Sequence, residues 1–265
     1  MKLILNPITG KLDAVADSAA DIESAAFYTS SDPTTEAHGG IEAGATFDRE
    51  PVSRVLDRIL HKPQPPKILS VGAGSAAGTY EIGTVLKDNV ITAQIKAGTS
   101  PIATVELLMN GGVVETLKTE DETARFTVSI DKTVAYSVRV TAADGRSATS
   151  ATLHFRFTRP VFYGLFPPTG EPDGVKGLTK TLPAKDSGEI TARYEAFDNK
   201  RFALALRGTV SKALNPSLFD ITRSLTKTTV KVKCLDGQEL DYSLYLSEPN
   251  SQAAAYPVRY TYALR

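Results

Sequence analysis

The sequence predicts a mainly β protein with one short amphipathic helix near its N-terminus. From residue 67 onward, runs of alternating apolar and polar residues recur at strand length, and Asn-Gly or Asp-Gly pairs separate several of them. One stretch breaks that grammar: Val52, Val55, Leu56, Ile59 and Leu60 recur at i, i+3, i+4, i+7 and i+8, with Ser53, Arg54, Asp57 and Arg58 opposite. Pro51 suits the first turn of this helix, while Pro63, Pro65 and Pro66 stop it, so it runs about three turns. An isolated helix of this length is marginal in water. Its stripe must therefore lie on a β-domain of its own chain or on a neighbouring subunit.

Composition sets the class. With 42% hydrophobic and 23% charged residues, the 265-residue chain has the profile of a soluble globular protein able to bury a core. Thirty basic and thirty acidic residues cancel, which argues against a broad nucleic-acid-binding face. No apolar run approaches a membrane span, and MKLILNP is too short for a signal peptide. A single cysteine, Cys234, excludes a disulfide framework; its parity with Val230 and Val232 predicts a buried small side chain, and its solitude points to a reducing site of synthesis in the cytoplasm.

Taken in order, residues 1–40 form an N-terminal arm that cannot build a core alone. LIL (3–5) and LDAV (12–15) are apolar enough to pair as a tight hairpin or to dock, and TSSDPTTEAHGG (29–40) is a small polar loop. The arm is either a disordered tail or a segment that orders on another protein. Residues 41–66 hold the helix and a proline-rich junction. Residues 67–158 then offer about seven strands, at 67–71, 85–97, 104–109, 113–117, 125–130, 135–143 and 149–157, the count of an immunoglobulin-like β-sandwich. Phe126, Val128, Ile130 and Tyr136, Val138, Val140 give inward faces, and Asn110-Gly111-Gly112 and Asp144-Gly145 supply positive-φ residues for hairpins. Without tryptophan or a cysteine pair, the core must be aliphatic with Phe and Tyr.

GAGSAAGTYEIG (72–83) lacks both the spacing of a dinucleotide loop and a G-K-[ST] and is read as a flexible connection. A second β-module fills 159–265: the aromatic run PVFYGLF, a Pro/Gly-rich loop that is a boundary candidate, then strands at 190–196, 201–206, 229–235, 240–246 and 256–264, with Asp236-Gly237 as a turn. Phe202, Leu204, Leu206 and Tyr242, Leu244, Leu246 each share a parity, predicting a consistent inward face.

Reactive chemistry is not visible. His38, His61 and His154 have no metal-ligand spacing, TEDE (119–122) lacks calcium-loop spacing, and no catalytic constellation, cofactor motif or metal set emerges. Phe162, Tyr163 and Phe166 are weighed as a ligand platform for a sugar or protein partner, against the alternative that they are core.

Four motifs together carry a resemblance: NPITGKLDAV (6–15), GGIEAGATF (39–47), VSRVLDRIL (52–60) and KPQPPKI (62–68). They resemble the N-terminal region of tailed-bacteriophage virion structural proteins, in which such motifs precede Ig-like β-modules; Tyr242, Tyr245 and Ser247 and the final Tyr-rich strand are a weaker likeness to their C-terminal module. Pro51 stands where that pattern usually has a Thr or Ser cap. The resemblance covers about a quarter of the chain and implies a non-enzymatic tail, neck, fibre or baseplate component, assembled in the host cytoplasm as a homo-oligomer with other virion proteins. It implies no catalytic residue. Partner docking is then expected at Leu3, Leu5, Asn6, Pro7, Leu12, Val52, Val55, Leu56, Ile59 and Leu60. The alternative is a receptor- or carbohydrate-binding β-module.

Overall fold

A computed structural model describes residues 2–5, 12–15, 27–31, 33–35, 40–41, 43–60, 63–119, 121–169 and 174–265. The architecture is mainly β, and the chain divides into two compact units: Met1–Lys67 with Lys96–Ala103 and Thr141–Ala148, and Ile68–Ile95 with Thr104–Val140 and Thr149–Arg265.

In the first unit, β1 (Lys2–Leu5) pairs antiparallel with β2 (Leu12–Val15), Leu5 opposite Leu12, so the hairpin reading of these patches holds. β3 (Phe27–Ser30) pairs with β4 (Phe47–Pro51), whose last residue leads directly into α1 (Val52–Leu60). Pro51 therefore ends a strand rather than opening the helix. A ring without an N–H is tolerated there, at the end of an outer strand.

In the second unit, β5 (Lys67–Ala73), β7 (Leu86–Lys96) and β10 (Thr123–Ile130) form one sheet in the order β10-β7-β5. A further sheet runs β6-β13-β11-β8-β9, comprising β6 (Gly78–Glu81), β8 (Ile102–Met109), β9 (Gly112–Leu117), β11 (Val134–Ala142) and β13 (Leu153–Thr158), with β12 (Ser147–Thr149) beside β11; the start of β8, the end of β11 and most of β12 are counted with the first unit. This is the immunoglobulin-like sandwich. Its core follows the predicted parity, with Phe126, Ile130, Tyr136, Val138 and Val140 buried beside Ile91, Ile95, Leu107 and Phe155. Asn110 and Gly111 take φ of 50° and 87°, the mirror-image turn that matches strand twist, and Gly112 already belongs to β9.

The stretch 72–83 is not a simple connection. Gly78 to Glu81 form β6, parallel to β13, with Gly78 opposite Phe155 and Glu81 opposite Thr158. Tyr80 stacks between Phe155 and Phe157, at centroid distances of 6.4 and 5.7 Å. That ring packing makes a strand of a glycine-rich segment that carries no period of its own.

The C-terminal region contributes β14 (Val161–Phe166), β15 (Thr179–Thr181), β16 (Ser187–Tyr194), β17 (Phe197–Leu206), β18 (Gly208–Leu214), β19 (Thr226–Lys233), β20 (Glu239–Leu246), β21 (Asn250–Gln252) and β22 (Tyr256–Leu264). They make a sheet β15-β14-β17-β20-β19, with β21 on β17, and a sheet β16-β22-β18. Each predicted parity holds, and the two sets face different cores. Phe202, Leu204 and Leu206 enter one core with Tyr194, Val258 and Tyr260, whereas Leu244, Leu246 and Tyr242 enter another with Ala203 and Ala205. The central sheet is thus covered on both faces, and size is matched across the ladder: Ala203 opposes Leu246, Ala205 opposes Leu244, and Leu204 opposes Tyr245. Cys234 is buried with Val230 and Val232, as its parity predicted. The Pro/Gly-rich loop after β14 marks no boundary, since Val175 and Leu178 return onto the second core and β15 pairs beside β14.

Within this unit the sandwich and the C-terminal sheets are bonded together. Lys180 Nζ donates to Glu81 Oε2 at 2.7 Å, Arg156 pairs with Asp186, and Arg159 Nη2 donates to Asp236 Oδ2 at 2.6 Å and Gln238 Oε1 at 3.2 Å. Gly83, at φ 103°, meets the turn 235–236 backbone to backbone; a Cβ there would lie 2.5 Å from the Asp236 nitrogen.

Candidate functional site

The strongest candidate is the surface around α1, because it gathers three of the motifs singled out in the sequence. Ile41 and Phe47 are buried, and Val55, 8% exposed, is the residue of the helix that packs on them. Gly40 explains part of the glycine motif. Its N–H donates to Arg58 O at 2.5 Å, meeting a carbonyl of the helix's last turn, and a Cβ would lie 2.5 Å from Pro63 Cδ and 2.8 Å from Arg58 O. Only glycine leaves room for the helix end and the proline junction to close on it. Gly44, at φ 85°, donates to Thr34 O at 2.7 Å, and Thr34 Oγ1 accepts from Ala45 N–H at 3.1 Å, fixing the loop that precedes Phe47. Arg58 donates to both Glu50 carboxylate oxygens, at 3.2 and 2.9 Å, with its guanidinium 5.6 Å from the Phe47 ring centre.

The proline junction is pinned in the same unit. Gln64 N–H donates to Thr99 Oγ1 at 2.7 Å, and Thr99 N–H returns to Gln64 O at 3.0 Å. A side chain at Gly98 would collide with Gln64 O.

This scaffold leaves the helix stripe open. Val52, Val55, Leu56 and Ile59 line a groove of about 470 Å³ with Thr34, Ile41 and Phe47. Leu56 is 50% exposed, Ile59 41% and Leu60 73%, and Leu60 does not line the groove. Within the chain, Val55 is the residue of the stripe that is buried. A nine-residue helix following directly on β4 has one flank against Ile41 and Phe47, and the groove stays open beside it. Covering these side chains would release on the order of 1.5–3 kcal/mol each.

Of the other predicted docking residues, Leu3 and Leu5 lie on β1 and Leu12 on β2, while Asn6 and Pro7 fall outside the described residues, as do His38 and His61. His154 is exposed on β13. Phe162, Tyr163 and Phe166 do not share one face. Tyr163 packs on one core, edge-on to Tyr194 at 6.1 Å, while Phe166 is buried in the other core and Phe162 lies against it, 5.9 Å from Tyr242. Strand alternation divides the set, so no aromatic platform forms.

A second polar cluster lies where Arg159, Asp236, Cys234, Tyr242 and Glu81 converge. Arg159 is held more basic by its hydrogen bond to Asp236, and that bond holds the Asp236 carboxyl below its ordinary value. Burial pushes the Tyr242 phenol up, and the neighbouring Cys234 adds to the shift. These are the signatures of a structural ion pair beside a buried ring. Among the described residues, no group of three or more His, Cys, Asp or Glu side chains could hold a metal ion, and no helix is long and apolar enough to cross a membrane.

No family model and no curated protein matches the chain. Among solved structures, the fibronectin(III)-like modules of Clostridium thermocellum CbhA are similar at 16% identity, over 76% of this chain and 94% of that one, with a TM-score of 0.25. The fold assignment rests on the strand order described above.

Proposed function

We propose that this protein is a non-enzymatic structural component of a tailed-bacteriophage virion, in the tail, neck, fibre or baseplate, and that it docks through its N-terminal region. The observation that carries this reading is the open groove along α1. Apart from Thr34, the residues that line it belong to the motifs on which the resemblance rests: Ile41 and Phe47 from the glycine motif and Val52, Val55, Leu56 and Ile59 from the helix, with Gly40 and Pro63 packed at the helix end. An apolar groove framed by close backbone packing suits a site that a second protein segment fills, and a short exposed stripe is the surface that repeated copies in a symmetric assembly cover.

The test is mass spectrometry of gradient-purified phage particles from the strain that encodes the chain. The expected result is recovery in fixed stoichiometry with known particle proteins, and loss of Leu56→Asp from the particle while Arg54→Asp is retained. Absence of the wild-type chain from purified particles overturns the reading.

A further inference from the structure

In the C-terminal region, the loop 215–220 between β18 and the 3-10 turn Thr222–Ser224 presents Leu218, 66% exposed, next to Phe219, 70% exposed. These are adjacent large apolar side chains on an otherwise polar loop. The loop is braced from within. Asn215 N–H donates to Phe219 O at 3.0 Å, Asn215 Oδ1 accepts from Phe219 N–H at 2.9 Å, and Leu218 N–H donates to Asn215 O at 2.9 Å. Below it, Asp220 Oδ1 accepts from both Thr222 N–H and Thr222 Oγ1, and Thr222 Oγ1 accepts from Ala213 N–H.

Two features set this tip apart from a scattered surface apolar residue. Leu218 has φ 63°, a conformation in which a leucine side chain is disfavoured and glycine or asparagine is the ordinary occupant. A leucine held there, facing solvent, contributes nothing to its own fold that a glycine would not. The N–H groups of Asn215, Leu218 and Phe219 also find their partners within the loop, which lowers the cost of taking them out of water. Lys212 and Arg223 are both exposed and within electrostatic reach of Asp220, an ionised carboxylate that these two cations outnumber. Apolar side chains at the apex with flanking cations match the chemistry of an anionic lipid surface, where acyl chains lie beneath phosphate headgroups.

We propose that the loop 215–220 is a membrane-docking tip, Leu218 and Phe219 inserting into the interfacial layer of an anionic bilayer while Lys212 and Arg223 meet its headgroups. This stands apart from the virion reading and does not depend on it.

The chain contains no tryptophan, so Phe219→Trp places one reporter at the apex of the full-length protein. The expected result is a blue-shifted emission on adding vesicles of phosphatidylcholine mixed with phosphatidylglycerol, quenched by brominated acyl chains. On unlabelled protein, Leu218→Ser with Phe219→Ser should cut vesicle co-sedimentation by about tenfold or more, with an unchanged circular dichroism spectrum. Lys212→Glu with Arg223→Glu should remove the preference for anionic over pure phosphatidylcholine vesicles. Failure of the wild type to co-sediment with either vesicle overturns the proposal. So does a blue shift that appears with rising protein concentration in the absence of lipid, which would assign the tip to a protein contact.

Discussion

Arg159 Nη2 donates to Asp236 Oδ2 across 2.6 Å, joining the peptide between β13 and β14 to the turn between β19 and β20, 77 residues further along the chain. The same guanidinium reaches Gln238, and Asp236 Oδ1 also accepts Gln238 N–H at 3.2 Å, so the turn and the pair brace each other. Arg159→Ala should lower the melting temperature by about 5 °C, because it removes one partner of a largely desolvated pair. Arg159→Lys should recover only part of that loss, since the shorter, more strongly hydrated ammonium must be desolvated to reach the two acceptors that Nη2 serves.

The same contact has a pH signature. The Asp236 carboxyl is depressed in the folded state, chiefly by the Arg159 hydrogen bond. Its contribution is therefore fully present above the unfolded carboxylate value of about 4 and is lost as pH falls through the lower folded value. Thermal melts of wild type and Asp236→Asn should differ at neutral pH and converge in acid. A constant gap down to the lowest pH at which the protein folds would show that the loss is one of packing.

Alkaline stability should be set by buried phenols. Tyr194 Oη donates to Ala203 O at 3.0 Å and lies 2.9 Å from Tyr260 Oη, both rings being buried. Burial raises both phenols above the usual tyrosine value. Their contribution is complete below the unfolded value of about 10 and declines as pH rises above it, where only the unfolded chain readily deprotonates. Tyr194→Phe should cost about 1–3 kcal/mol at neutral pH by removing the buried hydroxyl that bonds Ala203 O and Tyr260 Oη. Denaturant titrations at rising pH should show a flatter alkaline decline in the Tyr194→Phe, Tyr260→Phe double variant.

Around α1, position decides the outcome of a charge substitution. Val55→Asp should expose the first unit to proteolysis, at a cost of about 3 kcal/mol, because it buries a carboxylate against Ile41 and Phe47. Leu56→Asp should leave the fold intact and abolish association, since that side chain lines the open groove. Light scattering and limited proteolysis separate the two; equal proteolytic sensitivity would mean that the groove is closed in solution.

Glycine substitutions give an independent check of the same packing. Gly40→Ala drives a methyl into Pro63 and the Arg58 carbonyl and should cost about 1–3 kcal/mol. Gly44→Ala meets open space but must hold φ 85°, and should cost about 1 kcal/mol. Chemical denaturation of the two variants should preserve that order.

Much of this architecture was legible in local pattern. The helix, the hairpin at Asn110-Gly111, the buried faces of β10 and β11 and the burial of Cys234 all follow from periods of 3.6 and 2 and from turn chemistry within a few residues. Period states which side chains share a face; it is silent on what lies opposite that face. β6 was hidden because its strand character comes from Phe155 and Phe157, far along the chain. Gly40 carried a signal as part of a glycine pair, but its partner, Pro63, acquires meaning only when the helix folds back between them. Phe162, Tyr163 and Phe166 looked like a platform because they adjoin in sequence, and strand alternation sent them to different cores. The sequence by itself determined where strands, turns and one amphipathic helix form, because hydrogen-bonding and side-chain geometry are set locally. Tertiary structure alone decided that β17 is buried on both faces, that Arg159 finds Asp236, and that Leu56 and Ile59 border an open groove. Each of those depends on which distant surface arrives opposite, and that is fixed by the closure of the whole chain.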